Sequence, residues 1–422
     1  MLLQCRVILG ALIVLHLGLL VVGNWLTKEA AEYALSEFEA HEKRRASVGE
    51  GTPTNRDSSF PFISGDGFRH HCPHTCDETN RCRMWPERVK NGSCIFVKGD
   101  LYAFFARSVI PRIKGTFSVV SHNGDQSTPD GQSDAPRIRM QSYRTSHLLK
   151  KSYNRGRLLA HHGSNVWWTG VHPKNDTSVT RARPAYLHCL PIGIEDRLYS
   201  VGRTPRTYAD AIRKLVLPLS TATSTSTSIL ISTSTTAVGT TEQSSNIPKS
   251  SLLLIAFTPK SRIPDRAKAL DAVLLKTKGG ELKKRGVFYN YVPQGLSHAD
   301  WLAAITTHTF VLAPHGHGLD THRITEILLM GGVPVMKRSS ITSCYDDSDN
   351  AWVGSGGGSG RGSIPVVVVD RWQDVTEERL LREWARISAV PKEKWDWRRL
   401  FLQHWLDRVD APSHNLNAFS KY

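Results

Sequence analysis

Acidic residues are scarce in this chain: 38 Asp and Glu stand against 54 Lys and Arg over 422 residues, a formal charge of +16. A basic balance of that size points first to nucleic acid. The sequence has no zinc-finger spacing, no aromatic RNA-binding motif and no basic helix, so nucleic acid is not an expected partner. A phosphate-binding loop directly after a first strand is also missing, which argues against a sulfotransferase-like enzyme. The positive charge suits nucleotide phosphates, acidic glycans or anionic lipid headgroups instead. Cysteine is sparse, with seven residues. Cys5 stands apart, and the even remainder (Cys72, Cys76, Cys82, Cys94, Cys189, Cys344) fits disulfides in an oxidising compartment. Cys72, Cys76 and Cys82 lie near His70, His71 and His74, yet no standard zinc spacing appears, so no metal site is expected. Pairing is not deducible from the sequence.

What is present begins with residues 7–26, a nearly uncharged apolar stretch long enough to cross a bilayer. It reads as a signal anchor, with a signal peptide cut after Gly23 as the competing reading. Both send the rest of the chain into the secretory pathway. Residues 27–46 have helix formers, with acids early and Lys43-Arg44-Arg45 late, as the helix dipole favours, and suggest the start of a stem. Residues 47–68, rich in Gly, Ser, Pro and Asn, read as a tether. Two sequons, at Asn91 and Asn175, suit a lumenal chain. Residues 219–250 are a Ser/Thr spacer that cannot bury a core.

Strands and helices alternate on both sides of that spacer, which implies two α/β domains facing a cleft. In the first half, Asp100 is expected to cap a helix through Val109. Phe117–Ser121 reads as a strand ending in the turn His122-Asn123-Gly124-Asp125, and Leu187–Pro191 as another. In the second half, strands are expected at 252–257, 286–292 and 364–369, with helices at 267–276 and 299–306. A capping box of Asp374 and Glu377 should start a further helix, and one final amphipathic helix should span 393–409.

The richest segment is Thr309 to Arg338. An apolar run (Phe310, Val311, Leu312) breaks into Pro314-His315-Gly316-His317-Gly318, then a short helix, then the strand Val333–Met336. Asp320 is placed to cap the helix, Ile324, Ile327, Leu328 and Met330 form its buried stripe, and Gly331-Gly332 end it. Glycines at 316 and 318 allow close approach of a ligand to the backbone, and a helix N-terminus favours anions. Arg323 and Glu326 share one helical face; a guanidinium suits phosphate and a carboxylate suits ribose hydroxyls. An ordinary ion pair on that face is the competing reading.

This segment resembles the donor-binding signature of exostosin-like glycosyltransferases: proline, glycine, Asp320-Thr321-His322-Arg323, Glu326, then glycine and a Pro-Val strand. Further blocks resemble that family in the same order: Ile95–Asp100 with Phe104-Phe105, Ser121–Asp125, His172-Pro173-Lys174 and Leu190–Glu195. The resemblance implies a GT-B-like fold of two Rossmann-like domains, preceded by a transmembrane helix and stem. The expected layout is 1–6 tail, 7–26 anchor, 27–70 stem, 71–215 acceptor-side domain, 216–250 linker and 251–422 nucleotide-sugar domain. It also implies transfer from a UDP-linked sugar to a glycan or glycoprotein, with inversion, in the Golgi or endoplasmic reticulum membrane, type II. No cofactor beyond the nucleotide-sugar substrate is implied. Gly316, Gly318, Asp320, His322, Arg323, Glu326, Arg262 and Arg266 are the expected donor-binding residues, and Asp125 or His122 the expected catalytic base. Asp347-Ser348-Asp349 has a metal-binding form but reads as a solvated turn. Trp167-Trp168 reads as core. The competing function is a non-catalytic glycan-binding or scaffold protein.

Overall fold

The computed structural model describes residues 25–47, 58–80, 82–83, 85–125, 128–129, 139–167, 184–195, 203–221, 252–258, 264–274, 288–293, 295–345 and 363–411. Arg262, Asp347-Ser348-Asp349, Trp168, the Asn175 sequon, His172–Lys174 and nearly all of the apolar stretch at 7–26 lie outside them. Among the described residues no helix is long and apolar enough to cross a membrane.

Two five-stranded sheets organise the chain, and every pairing in both is parallel. The first contains β1 (His74–Cys76), β2 (Ser93–Lys98), β3 (Phe117–His122), β5 (Leu158–Gly163) and β7 (Leu187–Cys189), side by side in sequence order. Two-residue strands β4 (Thr128–Pro129) and β6 (Val166–Trp167) form a separate pair, and Thr128 is hydrogen-bonded to Ser121 near the end of β3. The second sheet contains β8 (Leu253–Ile255), β9 (Tyr289–Tyr291), β10 (Phe310–Leu312), β11 (Val333–Lys337) and β12 (Val367–Val369), in the order β12-β11-β10-β8-β9. The chain thus winds one way from β8 to β9 and the other way from β10 onward. This is the doubly wound order, in which a crevice opens where the direction reverses.

Central strands are buried on both faces, as parallel sheets require; all six residues of β3 and all three of β10 are buried. That is why β5 escaped a pattern-based reading. Its His161 and His162 look polar, yet both are inside. His161 donates or accepts through both nitrogens, with Tyr102 at 3.2 Å and Ser121 at 2.8 Å, and burial holds it neutral, down to about 3. Satisfied pairing of this kind is what makes a buried polar side chain tolerable.

Helix α1 (Lys28–Ser47) was expected as a stem, but it lies against the body. Ala30, Ala31 and Ala34 are fully buried and Phe38 nearly so. Trp25, just before it, donates to Gly332 O at 3.1 Å. Small side chains let the helix approach closely; polar length and terminal charge pattern carry no information about docking. Residues 58–64 also pack inward, and α2 (Gly65–His71) follows, capped by Ser64. Helices α3 (Tyr102–Ser108) and α4 (Arg139–Asn154) cover the first sheet.

Several local expectations shift. Asp100 does not cap: it lies within a 3-10 turn, Gly99–Leu101, that precedes α3. Helix α5 (Pro205–Ala211) starts with a capping box at Thr204 and continues through a π-turn into α6 (Leu217–Thr221). Helices α7 (Pro264–Leu274) and α8 (His298–Ile305) flank the second sheet. Asp374 caps a preceding 3-10 turn, leaving Thr376 to cap α10 (Glu377–Ser388). The expected helix over 393–409 breaks into 3-10 turns and α11 (Leu402–Asp410). The break is at Phe401, extended and bridged to Phe62. Leu402, Trp405 and Val409 then pack with Phe68, Phe96, Val120 and Leu190, so the last helix returns to the first sheet. Three disulfides pair Cys72 with Cys94, Cys76 with Cys82 and Cys189 with Cys344. The last joins the two halves.

Candidate functional site

Loops leaving the C-terminal ends of the two sheets meet. The helix after β10, α9 (His322–Leu329), starts at the reversal of the second sheet. Beside its first turn is a cavity of about 320 Å³, lined by the end of β8 (Ala256, Phe257, Thr258), Arg266 of α7, His298 and Trp301 of α8, and Thr321, His322, Arg323 and Glu326. Arg203, just before α5, adds a residue from the first half of the chain.

Charge in this cavity is one-sided. Arg323 donates to Ala256 O at 2.7 Å, and its guanidinium sits 4.2 Å over the Trp301 ring. Burial lowers it to about 10, so it stays a cation at neutral pH. Arg266 is half-buried, with Nε lacking a hydrogen-bond partner among the described residues, and burial lowers its pKa too. Among the described residues, Glu326 is the one carboxylate in the lining. Its Oε1 accepts from Arg203 (3.2 Å), Tyr208 (2.9 Å) and His298 (3.2 Å), and its Oε2 from Trp301 (2.8 Å). Burial alone would raise this acid. The His298 bond, the Arg203 charge and the Trp301 bond outweigh it and hold it at about 2. The competing reading, an Arg323–Glu326 ion pair, does not form; each has its own partners. Arg203 is paired with Glu326, whereas Arg323 is held by Ala256 O and Trp301; cations around an opening at a helix start form a place for an anion.

The glycine loop does something different from the expected ligand cradle. A Cβ on Gly318 would meet the Asn165 side chain at 2.7 Å. Asn165, in a positive-φ conformation after β5, accepts from Asp320 N at 2.6 Å and donates to Gly124 O at 3.2 Å. The glycine therefore admits protein from the other half of the chain. Gly316 lies closer to the cavity: a Cβ there would meet Thr321 at 3.0 Å and Arg266 Nη2 at 3.9 Å.

Asp320 does not cap α9: Thr321 is the N-cap residue, with no side-chain bond. Asp320 accepts from Thr321 N at 2.8 Å, and also from Ile192 N at 2.8 Å and from the Tyr345 hydroxyl at 2.8 and 3.0 Å. Burial raises it to about 6, against those bonds. It joins the halves rather than facing a ligand.

Of the two alternative catalytic bases expected, His122 is buried. Its Nδ1 accepts from Asn123 N at 2.9 Å, and its Nε2 faces Pro191 O at 3.2 Å. Both nitrogens are occupied by backbone, and burial lowers the ring to about 4. Asp125 is exposed and does not line the cavity. Arg262 lies outside the described residues.

Sequence reasoning missed Arg203, Tyr208, His298 and Trp301, which converge on Glu326 from two further helices. It also gave no role to Glu195, whose Oε2 lies 3.4 Å from His322 Nε2. Glu195 ends the Leu190–Glu195 block, and that was the one available signal.

No family model matches this chain, and no curated protein matches it. Solved structures similar to it include the α,α-trehalose 6-phosphate synthase of Burkholderia multivorans (12% identity, covering 80% of this chain and 74% of that one, TM-score 0.34). Another is E. coli trehalose-6-phosphate bound with UDP-2-fluoro glucose (11%, 79% and 73%, 0.30). A third is the UDP-forming α,α-trehalose-phosphate synthase of Burkholderia xenovorans in complex with glucose-6-phosphate (10%, 79% and 74%, 0.31). Likenesses of this size bear on neither activity nor substrate. The two-domain α/β architecture rests on the sheets themselves.

Proposed function

We propose that this chain is an exostosin-like glycosyltransferase that binds a UDP-linked sugar in the cavity at the reversal of the second sheet and passes the sugar to a glycan or glycoprotein. The observation that carries the reading is Arg266. Its half-buried cation has an Nε without a partner among the described residues and stands with Arg323 and Arg203 at the wall of a cavity beside the first turn of α9. A leaving diphosphate needs that arrangement, because fixed cations and helix amides stabilise charge as it develops. Glu326 holds Arg203 and His298 in place, and a ribose hydroxyl exchanging with one of its four donors would meet the same carboxylate. Inversion belongs to the same reading through the family resemblance alone; the type II membrane anchor and a Golgi or endoplasmic reticulum setting also belong to it, supported by the apolar stretch at 7–26 and the disulfide-bonded cysteines.

Calorimetry with UDP, GDP, CDP and ADP on the full chain tests this. UDP is expected to bind, and Arg266→Ala to weaken it at least tenfold. Equal affinity in wild type and Arg266→Ala would overturn the site. A non-catalytic role is favoured by one feature, the saturation of Glu326 by protein donors; UDP binding with no donor turnover would select it.

A further inference from the structure

The segment after β7 is held unusually firmly. Leu190 N donates to Gly163 O at 2.8 Å, Ile192 N to Asp320, and Ile194 N to Ile63 O at 2.8 Å. Gly193 adopts φ +76°, and a Cβ there would fall 2.0 Å from Ile63 O, so only glycine fits. At the end of this strap the Tyr208 hydroxyl, which donates to Glu326, also lies 3.2 Å from Glu195 O. The strap offers two groups to one imidazole across the domain junction. His322 Nδ1 lies 2.9 Å from Gly193 O, and Nε2 lies 3.4 Å from Glu195 Oε2. A carbonyl only accepts, so Nδ1 carries the hydrogen, and the lone pair of the neutral ring is on Nε2. His322 lines the cavity, whereas the Glu195 side chain is only 8% exposed.

We propose that His322 Nε2 is the proton acceptor for the attacking hydroxyl, with Glu195 as the positioning residue that stabilises the imidazolium. This rests on the nucleotide-sugar reading of the cavity. The hydroxyl oxygen bonds to the sugar's anomeric carbon as the carbon–oxygen bond to the diphosphate breaks. That electron pair stays on the diphosphate beside the arginines, and the hydroxyl proton moves to Nε2. Gly193 O fixes the tautomer, and the nearby carboxylate becomes an ion-pair partner only once the ring is charged, the logic of a base oriented by a third group. The charged or titratable groups facing His322 are Glu195 from the strap, Asp320 from the loop before α9, and His122 from the end of β3. His122 was the expected base; backbone bonds at both its nitrogens remove it from that role, and the strap brings His322 forward.

The test uses the full chain, with water as acceptor and a panel of UDP-sugars as donors, reading hydrolysis against pH and UDP affinity by calorimetry. His322→Asn keeps an N–H toward Gly193 O while deleting Nε2. It is expected to lose about 100-fold or more in kcat and to lose the acid limb of the pH profile, with UDP affinity reporting separately on the nucleotide site. Glu195→Gln is expected to lower kcat about tenfold and move that limb to lower pH, which a merely structural role would not do. Either variant with wild-type kcat and pH profile would overturn the proposal, as would a wild-type chain that binds UDP yet hydrolyses no donor. A chain that binds no nucleoside diphosphate would remove the nucleotide reading itself, a distinct outcome.

Discussion

The two sheets are built alike and used differently. Each has five parallel strands, and the central ones, β3 and β10, are wholly buried. In the first sheet the strands follow one another in sequence order, and the loops at their ends are filled by protein: His122 by Pro191 and Asn123, Asn165 by Gly124 and Asp320. In the second the order reverses between β8 and β10, and a cavity opens at that reversal. A change of winding direction sends neighbouring loops to opposite faces, so nothing closes the space between them. Strand number and hydrophobicity therefore say little about where a ligand goes; order decides it. The contrast also explains the unequal fate of the expected residues. Arg266, Arg323 and Glu326, on the reversed sheet, reach the cavity, whereas Asp125 on the other does not.

The contrast can be broken at the junction that holds the sheets together. Cys189 and Cys344 are 155 residues apart in sequence, so Cys189→Ser with Cys344→Ser should lower stability by about 4–5 kcal/mol, read by denaturant unfolding under non-reducing conditions. An unchanged midpoint would mean the two halves are held by other contacts alone. Glu326→Ala should cost roughly 3–5 kcal/mol, because it leaves Arg203, Tyr208, His298 and Trp301 without their acceptor, and should abolish UDP binding. The same carboxylate has a pH signature. Its folded pKa of about 2 lies below the ordinary value of 4.5, so its contribution is present above the ordinary value and lost as pH falls from 4.5 through 2. An acid-unfolding curve of Glu326→Gln should be flatter in that window than wild type.

Asp320 works in the opposite sense. Its folded pKa of about 6 lies above 3.8, so ionising it weakens the fold as pH rises from 3.8 through 6. Asp320→Asn should remove that slope, whereas Asp320→Ala, leaving Ile192 N and the Tyr345 hydroxyl unpaired, should destabilise by about 2–3 kcal/mol at neutral pH. The smallest effect sharpens the comparison most. Gly318→Ala pushes a methyl into Asn165 and should cost about 1–3 kcal/mol by thermal unfolding while leaving UDP affinity within threefold. A large loss of UDP affinity with no loss of stability would restore the ligand-cradle role to that glycine.

Strand–loop–helix–strand at 309–338 was legible because each signal is local: an apolar run, glycines, a helical stripe and a glycine stop. The alternation of strands and helices was legible for the same reason. Docking of α1 was not, since an alanine face serves a stem and an interface equally well. Nor was β5, whose His161 is made internal by Tyr102 and Ser121, partners far away in sequence.

Composition and local pattern thus determined a basic, cysteine-bridged chain with two parallel α/β units and a charged helix start after β10. Which side chains surround that helix start was decided only by folding. Arg203, Tyr208, His298, Trp301 and Glu195 come from separate segments, and hydrogen bonds to Glu326 and a close contact with His322 select them by distance in space, a quantity that spacing along the chain does not encode.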